Sequence, residues 1–342
     1  MTDHEPPWWR PDVFARRRAN LLRRAQIAED VRRWFRAAGF VEVETPALQV
    51  SPGMEPHLEA FVTRMREPDE RDAGRPLYLH TSPEFAMKKL VAAGMPKIFQ
   101  LAHAFRNAER SATHHPEFTM LEWYRADAGW RETAEDCLAL LRLAAPELRR
   151  GAQRCDPARP AEWISVAEAF ARHADVDVFG DLAAQAKRIG VRVADGDPWD
   201  DIFFRIFLER VEPKLGQGAP TILHSYPASM AALARIASHD PRVAERFELF
   251  ACGLELANGF GELTDAAEQR ARFMADDAKR RALYGRSYPL DEDFLAALAH
   301  GLPRCAGVAL GFDRLAMLAT GAATIDDVLW APVAAAPPQS RG

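Results

Sequence analysis

Between Arg106 and Asp127 the chain reads RNAERSATHHPEFTMLEWYRAD. Arg106, His114, His115, Glu117 and Phe118 crowd its first half, and Glu122 and Tyr124 end the apolar-rich run that follows. This combination suits a charged, flat ligand: a guanidinium grips phosphate oxygens, and a ring stacks on a base. Glu122 and Tyr124 are two apart, so on a strand they share one face. An acid beside a phenol there receives an ammonium group, or forms a half-buried structural pair. His114 and His115 are adjacent, so they point apart on a strand, and no HExxH or third histidine lies nearby. A loop or phosphate-contact role therefore outranks metal ligation.

Two further segments carry chemistry. In GVALGFDRLAML, Gly307, Ala309 and Gly311 keep one side of a strand small, and Arg314 falls just inside the following helix. That side admits a flat ligand, or simply tight helix–sheet packing. In RFELFACGLELANGFGELTD, Glu248, Glu255 and Glu262 recur every seventh residue. An odd spacing puts them on alternate faces of a strand, so convergence needs a bend or bulge, and NGFG offers one. Converged carboxylates repel unless a metal or cationic substrate sits among them; otherwise they are solvated acids.

The elements that must position these residues follow from the apolar pattern. Phe14 to Ala38 reads as a helix stopped by Gly39, with Leu21, Ile27, Val31 and Phe35 on its apolar face. Its many arginines, among them Arg16, Arg17, Arg18, Arg23 and Arg24, suggest a nucleic-acid face or, better matched to the overall charge, a solvated one. FVEVETP reads as a strand with one buried face, ended by Pro46. PLYLHTSPEFAMKKLVAAG is a strand and a helix with Ser82 as N-cap and Pro83 at the first helical position. PKIFQLAHAFRN and PEFTMLEWYRAD are strands that pair as an antiparallel hairpin around the crowded loop. Helical periodicity dominates from about 132 to 218, which reads as a helical insertion with no part in the site. TILHSYP and RFELFACGLELANGF return to strand character. The sum is an α+β domain on an antiparallel sheet flanked by helices. No GxGxxG follows a strand and no GxxxxGK[ST] loop occurs, so a nucleotide must be held by side chains.

Composition narrows the function classes. The 342 residues are 48% hydrophobic, enough for a substantial core in one large domain. A net charge of −5 argues against non-specific nucleic-acid binding. Cys137, Cys155, Cys252 and Cys305 are far apart with no CxxC pair, which fits a reducing, cytoplasmic setting. The N-terminus has no signal-peptide pattern, and no run approaches the about 18 apolar residues of a membrane span. The small, proline-rich tail APVAAAPPQSRG is expected to fray.

The order of these segments resembles the three signature motifs of class II aminoacyl-tRNA synthetases: VEVETP, then FRNAERSATHHPEFTMLEWY, then GVALGFDR. PEFTMLEWY, RFELF and ELANGFGELTD are similar to the lysine-specific branch. The catalytic-type segment begins almost at residue 1 of the sequence, so no upstream strand-rich anticodon-binding domain is expected. That resembles the family of truncated paralogues, the elongation factor P–(R)-β-lysine ligases, over almost the whole chain.

The resemblance implies a cytoplasmic ligase, commonly a homodimer, using ATP and Mg²⁺ to form an aminoacyl-adenylate with release of pyrophosphate. The acceptor would be a lysine of elongation factor P and not tRNA. By position, Arg106 would contact the α-phosphate, His114 the terminal phosphates, and Phe118 and Arg314 would sandwich the adenine. Arg106 and Arg314 would be catalytic. Asn107, Ala108, His115, Leu256 and Gly311 also fall at ATP-site positions, and Glu248 and Glu255 would hold Mg²⁺, Glu255 facing ATP as well. Ser82, Pro83, Glu84, Glu122 and Tyr124 fall at amino-acid positions, as do Asn258, Phe260, Glu262 and Ala309. Their carboxylates would pair with the substrate's two ammonium groups. Ser82 and Ala309 stand where tRNA-charging lysyl enzymes typically have alanine and glycine. Three positions depart from the family pattern: Ala108 replaces a glutamate, His115 replaces an asparagine, and Gly261 replaces a bulkier residue.

Overall fold

The computed structural model describes residues 7–68 and 74–333; the proline-rich tail beyond Val333 lies outside them. Helix α1 (Pro11–Ala37) begins with proline in its first turn and ends before Gly39, whose φ of +80° favours glycine. Leu21, Ile27, Val31 and Phe35 form its buried stripe. Arg33 pairs with Glu29 and Asp30, while Arg32 and Arg36 pair with Glu42. This much of the arginine-rich surface is a solvated, acid-compensated face. Three of its arginines turn inward instead: Arg17 to the Leu329 and Trp330 carbonyls, Arg23 to the Ala144 carbonyl, and Arg24 to Asp313.

The strand expected over FVEVETP shrinks to β1 (Val41–Glu42). The chain then leaves the main sheet to form β2 (Leu48–Gln49), β3 (Val62–Met65) and β4 (Arg75–Leu79), a separate antiparallel sheet ordered β2–β4–β3. Helix α2 (Glu84–Ala92) follows, with Pro83 and not Ser82 at its N-cap, one residue later than expected. The Ser82 hydroxyl accepts the Glu84 N–H at 3.1 Å, so it still meets one of the helix's free donors. Strands β5 (Lys97–Phe105) and β6 (Glu117–Ala126) form the expected hairpin, in register from Lys97↔Arg125 to Phe105↔Glu117.

The segment 132–218 is not helical throughout. Helix α3 (Trp130–Ala144) packs in the central core with Phe35 and Phe99. Strands β7 (Leu148–Arg150) and β8 (Gln153–Cys155) pair, and β9 (Glu162–Ser165) adds an edge to the main sheet. Helices α4 (Val166–Ala174), α5 (Leu182–Arg188) and α6 (Trp199–Ile206) bury a second cluster around Phe170, Phe203 and Phe207. A wide helical turn, Phe207–Val211, extends α6.

Strands β10 (Thr221–Pro227), β11 (Val243–Ala251) and β12 (Leu254–Gly261) form a meander. After α7 (Ala266–Tyr284) and α8 (Glu292–Gly301), β13 (Cys305–Gly311) inserts between β6 and β12, and α9 (Phe312–Thr320) closes the fold. The main sheet has eight strands in the order β1–β5–β6–β13–β12–β11–β10–β9. Its interior pairs are antiparallel as expected, but the outer pairs β1–β5 and β9–β10 are parallel. On one face, Trp123, Val308 and Leu310 pack with the residues of α1, α3 and α9. On the other, Tyr124 and Phe260 pack with Phe85, Phe273 and Phe294 of α2, α7 and α8. Among the described residues no helix is long and apolar enough to cross a membrane.

Candidate active site

A cavity of about 400 Å³ opens on the second face, over β6, β13, β12 and β11. Strand alternation explains its floor. On β6 Glu122 and Tyr124 face it while Leu121 and Trp123 enter the core; on β13 Gly307, Ala309 and Gly311 face it while Leu310 enters the core. The glycine at 307 is required by a close approach, since a Cβ there would lie 2.2 Å from Tyr124 Cε1 and 2.6 Å from Glu262 Oε1.

One end of the cavity is acidic. Tyr124 Oη donates to Glu122 Oε1 at 2.6 Å, and Ser82 Oγ donates to Glu122 Oε2 at 2.6 Å. The Lys88 Nζ, buried on α2, lies 2.6 Å from Glu84 Oε1 and 2.5 Å from Glu262 Oε2. These carboxylates hold Lys88 charged against the burial that opposes it. Burial pushes the carboxyls of Glu122 and Glu262 upward, helped by the charge of Glu84, and pushes the Tyr124 phenol up so that it remains a donor. Glu84 and Glu262 thus share one ammonium, and Glu122 has only hydroxyl partners, so carboxylates outnumber the lysine at this end.

The next strands carry a polar relay. Arg246 donates to Glu248 Oε1 at 2.6 Å, to Asn258 Oδ1 at 3.2 Å and to the Met230 carbonyl at 2.8 Å, with its guanidinium 4.4 Å from the Tyr226 ring centre. Glu248 is opposite Asn258, and Asn258 is opposite Ala309. Burial and the charge of Glu255 push Glu248 up to about 7. Glu248 and Glu255 come together because the chain reverses at Cys252–Gly253, both with positive φ, and a bulge shifts the register at Leu249/Phe250. The NGFG segment, expected to supply this bend, is instead the regular end of β12.

The other end is basic and aromatic. The Arg106 guanidinium lies 5.2 Å from the Phe118 ring centre. Arg314 donates to the Glu255 carbonyl at 3.0 Å, to the Thr113 carbonyl at 3.3 Å and to His114 Nε2 at 2.6 Å. Burial, Arg314 and Arg106 push His114 down to about 4, so the ring is neutral and accepts at Nε2.

The structure brings most of the expected site residues to this one cavity. Ser82, Glu84, Glu122, Tyr124, Asn258, Phe260, Glu262 and Ala309 line it toward the acidic end. Arg106, His114, His115, Phe118, Glu248, Glu255, Leu256, Gly311 and Arg314 line the rest. Pro83, Asn107 and Ala108 do not. Pro83 caps α2; Asn107 turns to Glu59, its Nδ2 donating to Oε1 at 3.1 Å; and Ala108 is exposed at a turn with φ +60°. Glu109 does line the cavity, 4.0 Å from Arg106. His115 touches the wall, but its ring nitrogens bond to the Glu117 carbonyl and the Val333 N–H.

Sequence reasoning missed Arg246, Glu55 and the apolar Phe204 and Phe207 on this wall, and Lys88 buried behind its acidic end. Lys88 follows Glu84 by four in a helix and Arg246 precedes Glu248 by two in a strand, so both carried a same-face signal. Phe204 and Phe207 come from the segment read as having no part in the site, and their spacing distinguishes nothing from core.

Residues 13–334 match the family tRNA synthetases class II (D, K and N). The elongation factor P–(R)-β-lysine ligase of Pectobacterium carotovorum subsp. carotovorum (strain PC1) is 43% identical over 327 residues, 94% of this chain and 96% of that one. The ligase of the same name from Klebsiella pneumoniae (strain 342) is 43% identical over 331 residues, 95% and 97% of the two chains. That from Salmonella schwarzengrund (strain CVM19633) is 42% identical over the same shares. With this fold, these signature segments and this coverage, the chain belongs to the class II tRNA synthetases of the D, K and N type and, within them, to the elongation factor P–(R)-β-lysine ligase family.

Proposed function

We propose that this protein activates (R)-β-lysine with ATP as an aminoacyl-adenylate and transfers it to the ε-amine of a lysine on elongation factor P. The observation that carries the reading is the polarity of the cavity. Three carboxylates stand with a single lysine at one end, and two arginines with an aromatic ring stand at the other. A diamino acid brings two ammonium groups and one carboxylate, and orients across such a cavity in one direction only.

In this reading Arg106 neutralises charge on the α-phosphate as the substrate carboxylate attacks. Phe118 and Arg314 hold the adenine, and neutral His114 accepts from Arg314 while facing the terminal phosphates. Glu248 and Glu255 would hold Mg²⁺. They are hard oxygen donors on neighbouring strands whose mutual repulsion a cation relieves, which fits that ion. Bound there, it would offset phosphate charge. Among the described residues no group of three metal-ligating side chains occurs, so phosphate oxygens would supply the remaining ligands. A homodimer is part of the same reading.

The alternative of an inactive paralogue has Ala108 as its sequence support, and that residue is exposed and outside the cavity. Against tRNA as acceptor stand the relatives' names and the net charge of −5. Incubation with ATP, Mg²⁺, (R)-β-lysine and elongation factor P should add one β-lysyl mass to the factor. The rate should rise with pH as the acceptor lysine loses its proton. Charging of tRNA with no mass change on the factor would overturn the reading.

A further inference from the structure

The loop between β5 and β6 is held from two sides. On the cavity side Arg314 bonds to the Thr113 carbonyl and to His114. On the outer side it meets the end of the described chain. The Ile325 N–H donates to the Ala112 carbonyl at 2.8 Å. The Val333 N–H donates to His115 Nε2 at 3.1 Å, and Arg110 donates to the Val333 carbonyl at 2.7 Å. One residue of the C-terminal segment is therefore clasped through both of its backbone groups.

His115 is committed to this clasp. Its ring is buried, with Nδ1 2.5 Å from the Glu117 carbonyl as donor and Nε2 accepting from Val333. No ring nitrogen is left for a ligand. The segment is anchored in turn, because Arg17 of α1 bonds to the Leu329 and Trp330 carbonyls.

We propose that the segment 330–333 is a brace for the ATP-facing loop, and that His115 and Arg110 are positioning residues acting through it. The proposal rests on the reading of the cavity as an ATP site. Without the brace the loop samples more conformations. Apparent nucleotide affinity then falls with the fraction of molecules that hold the competent one.

Val333→Pro removes the N–H and leaves the rest of the chain; truncation after Ala331 removes the whole clasp. In ATP–pyrophosphate exchange, Val333→Pro and His115→Ala should each raise KM for ATP about three- to tenfold, as for one lost hydrogen bond, with kcat changing less. The double variant should be no worse than either single one. Without ATP, trypsin should cut after Arg110 faster in both, and in the truncated chain. If His115→Ala raises KM while Val333→Pro and the truncation change neither KM nor cleavage, or if the effects add, the brace is overturned. A wild-type protein that gives no exchange overturns the ATP reading, and the cleavage arm still decides the brace.

Discussion

Arg314 uses all three guanidinium nitrogens at once, on the carbonyls of Glu255 and Thr113 and on His114 Nε2. It therefore ties β12, the β5–β6 loop and α9 to one planar group that also faces the cavity. The compact ammonium of lysine cannot reproduce that fork. Arg314→Ala should lower pyrophosphate exchange by at least about 10²-fold, and Arg314→Lys should recover little of it; near-wild-type exchange in either variant would remove Arg314 from the reaction. A second pair of residues acts on the acidic end. Ser82 bonds to Glu122, and Ala309 lies opposite both Glu122 and Asn258 in the sheet. The hydroxyl orients a carboxylate oxygen, and under the proposed function the methyl would fill floor space that an α-amine needs. One such contact discriminates by about 10- to 200-fold. Ser82→Ala with Ala309→Gly should move the kcat/KM ratio of (R)-β-lysine to α-lysine toward α-lysine within that range. A shift below about threefold would make both residues packing groups.

At the scale of elements, β13 works because one of its faces is nearly bare. A Cβ on Gly307 would press on the Tyr124 ring and on Glu262, and neither buried group has room to retreat. Gly307→Ala should destabilise the fold by about 1–3 kcal/mol and raise the amino-acid KM more than the ATP KM; chemical unfolding with exchange kinetics checks both. This strand, the β5–β6 hairpin and α1 were legible because period-two or helical patterning coincided with glycine and proline punctuation. The convergence of Glu248 with Glu255 was legible only as a need, since the reversal uses Cys252, a residue with no turn signature, beside Gly253. The brevity of β1 and the parallel edges depend on distant partners, Phe99 for Glu42 and Ile164 for Leu223, which no local pattern names. The same holds for the part of Phe204 and Phe207 in the cavity wall, because a buried phenylalanine looks alike in core and in a site. His115 shows the reverse failure. Its position suggested a ligand contact, whereas its ring is spent on a backbone carbonyl and a residue over two hundred positions away.

Across the whole molecule, the cavity concentrates buried acids in excess of the cations that the fold sets beside them. Burial raises the carboxyls of Glu122, Glu248 and Glu262 above their ordinary range, and that of Asp276 to about 6. A carboxyl raised on folding favours the folded state while protonated, and that contribution is lost as pH climbs through the raised value. The protein should therefore lose stability between mildly acidic and mildly alkaline pH through these groups, opposite to a salt-bridged carboxylate. Glu122→Gln keeps the shape and hydrogen-bonding capacity but cannot ionise, and its hydroxyl partners Ser82 and Tyr124 can turn to suit an amide. Its Tm should exceed that of the wild type at about pH 8, with the gap closing toward about pH 5. Saturating ATP and diamino acid should reverse the order, because the ligand supplies to the wild type the ammonium group that the amide no longer attracts. Thermal unfolding across that pH range, with and without ligands, reads both effects. A pH-independent gap, or one of opposite sign, would mean that Glu122 carries no ionic burden in the empty protein and that the acidic end is neutralised by some other group.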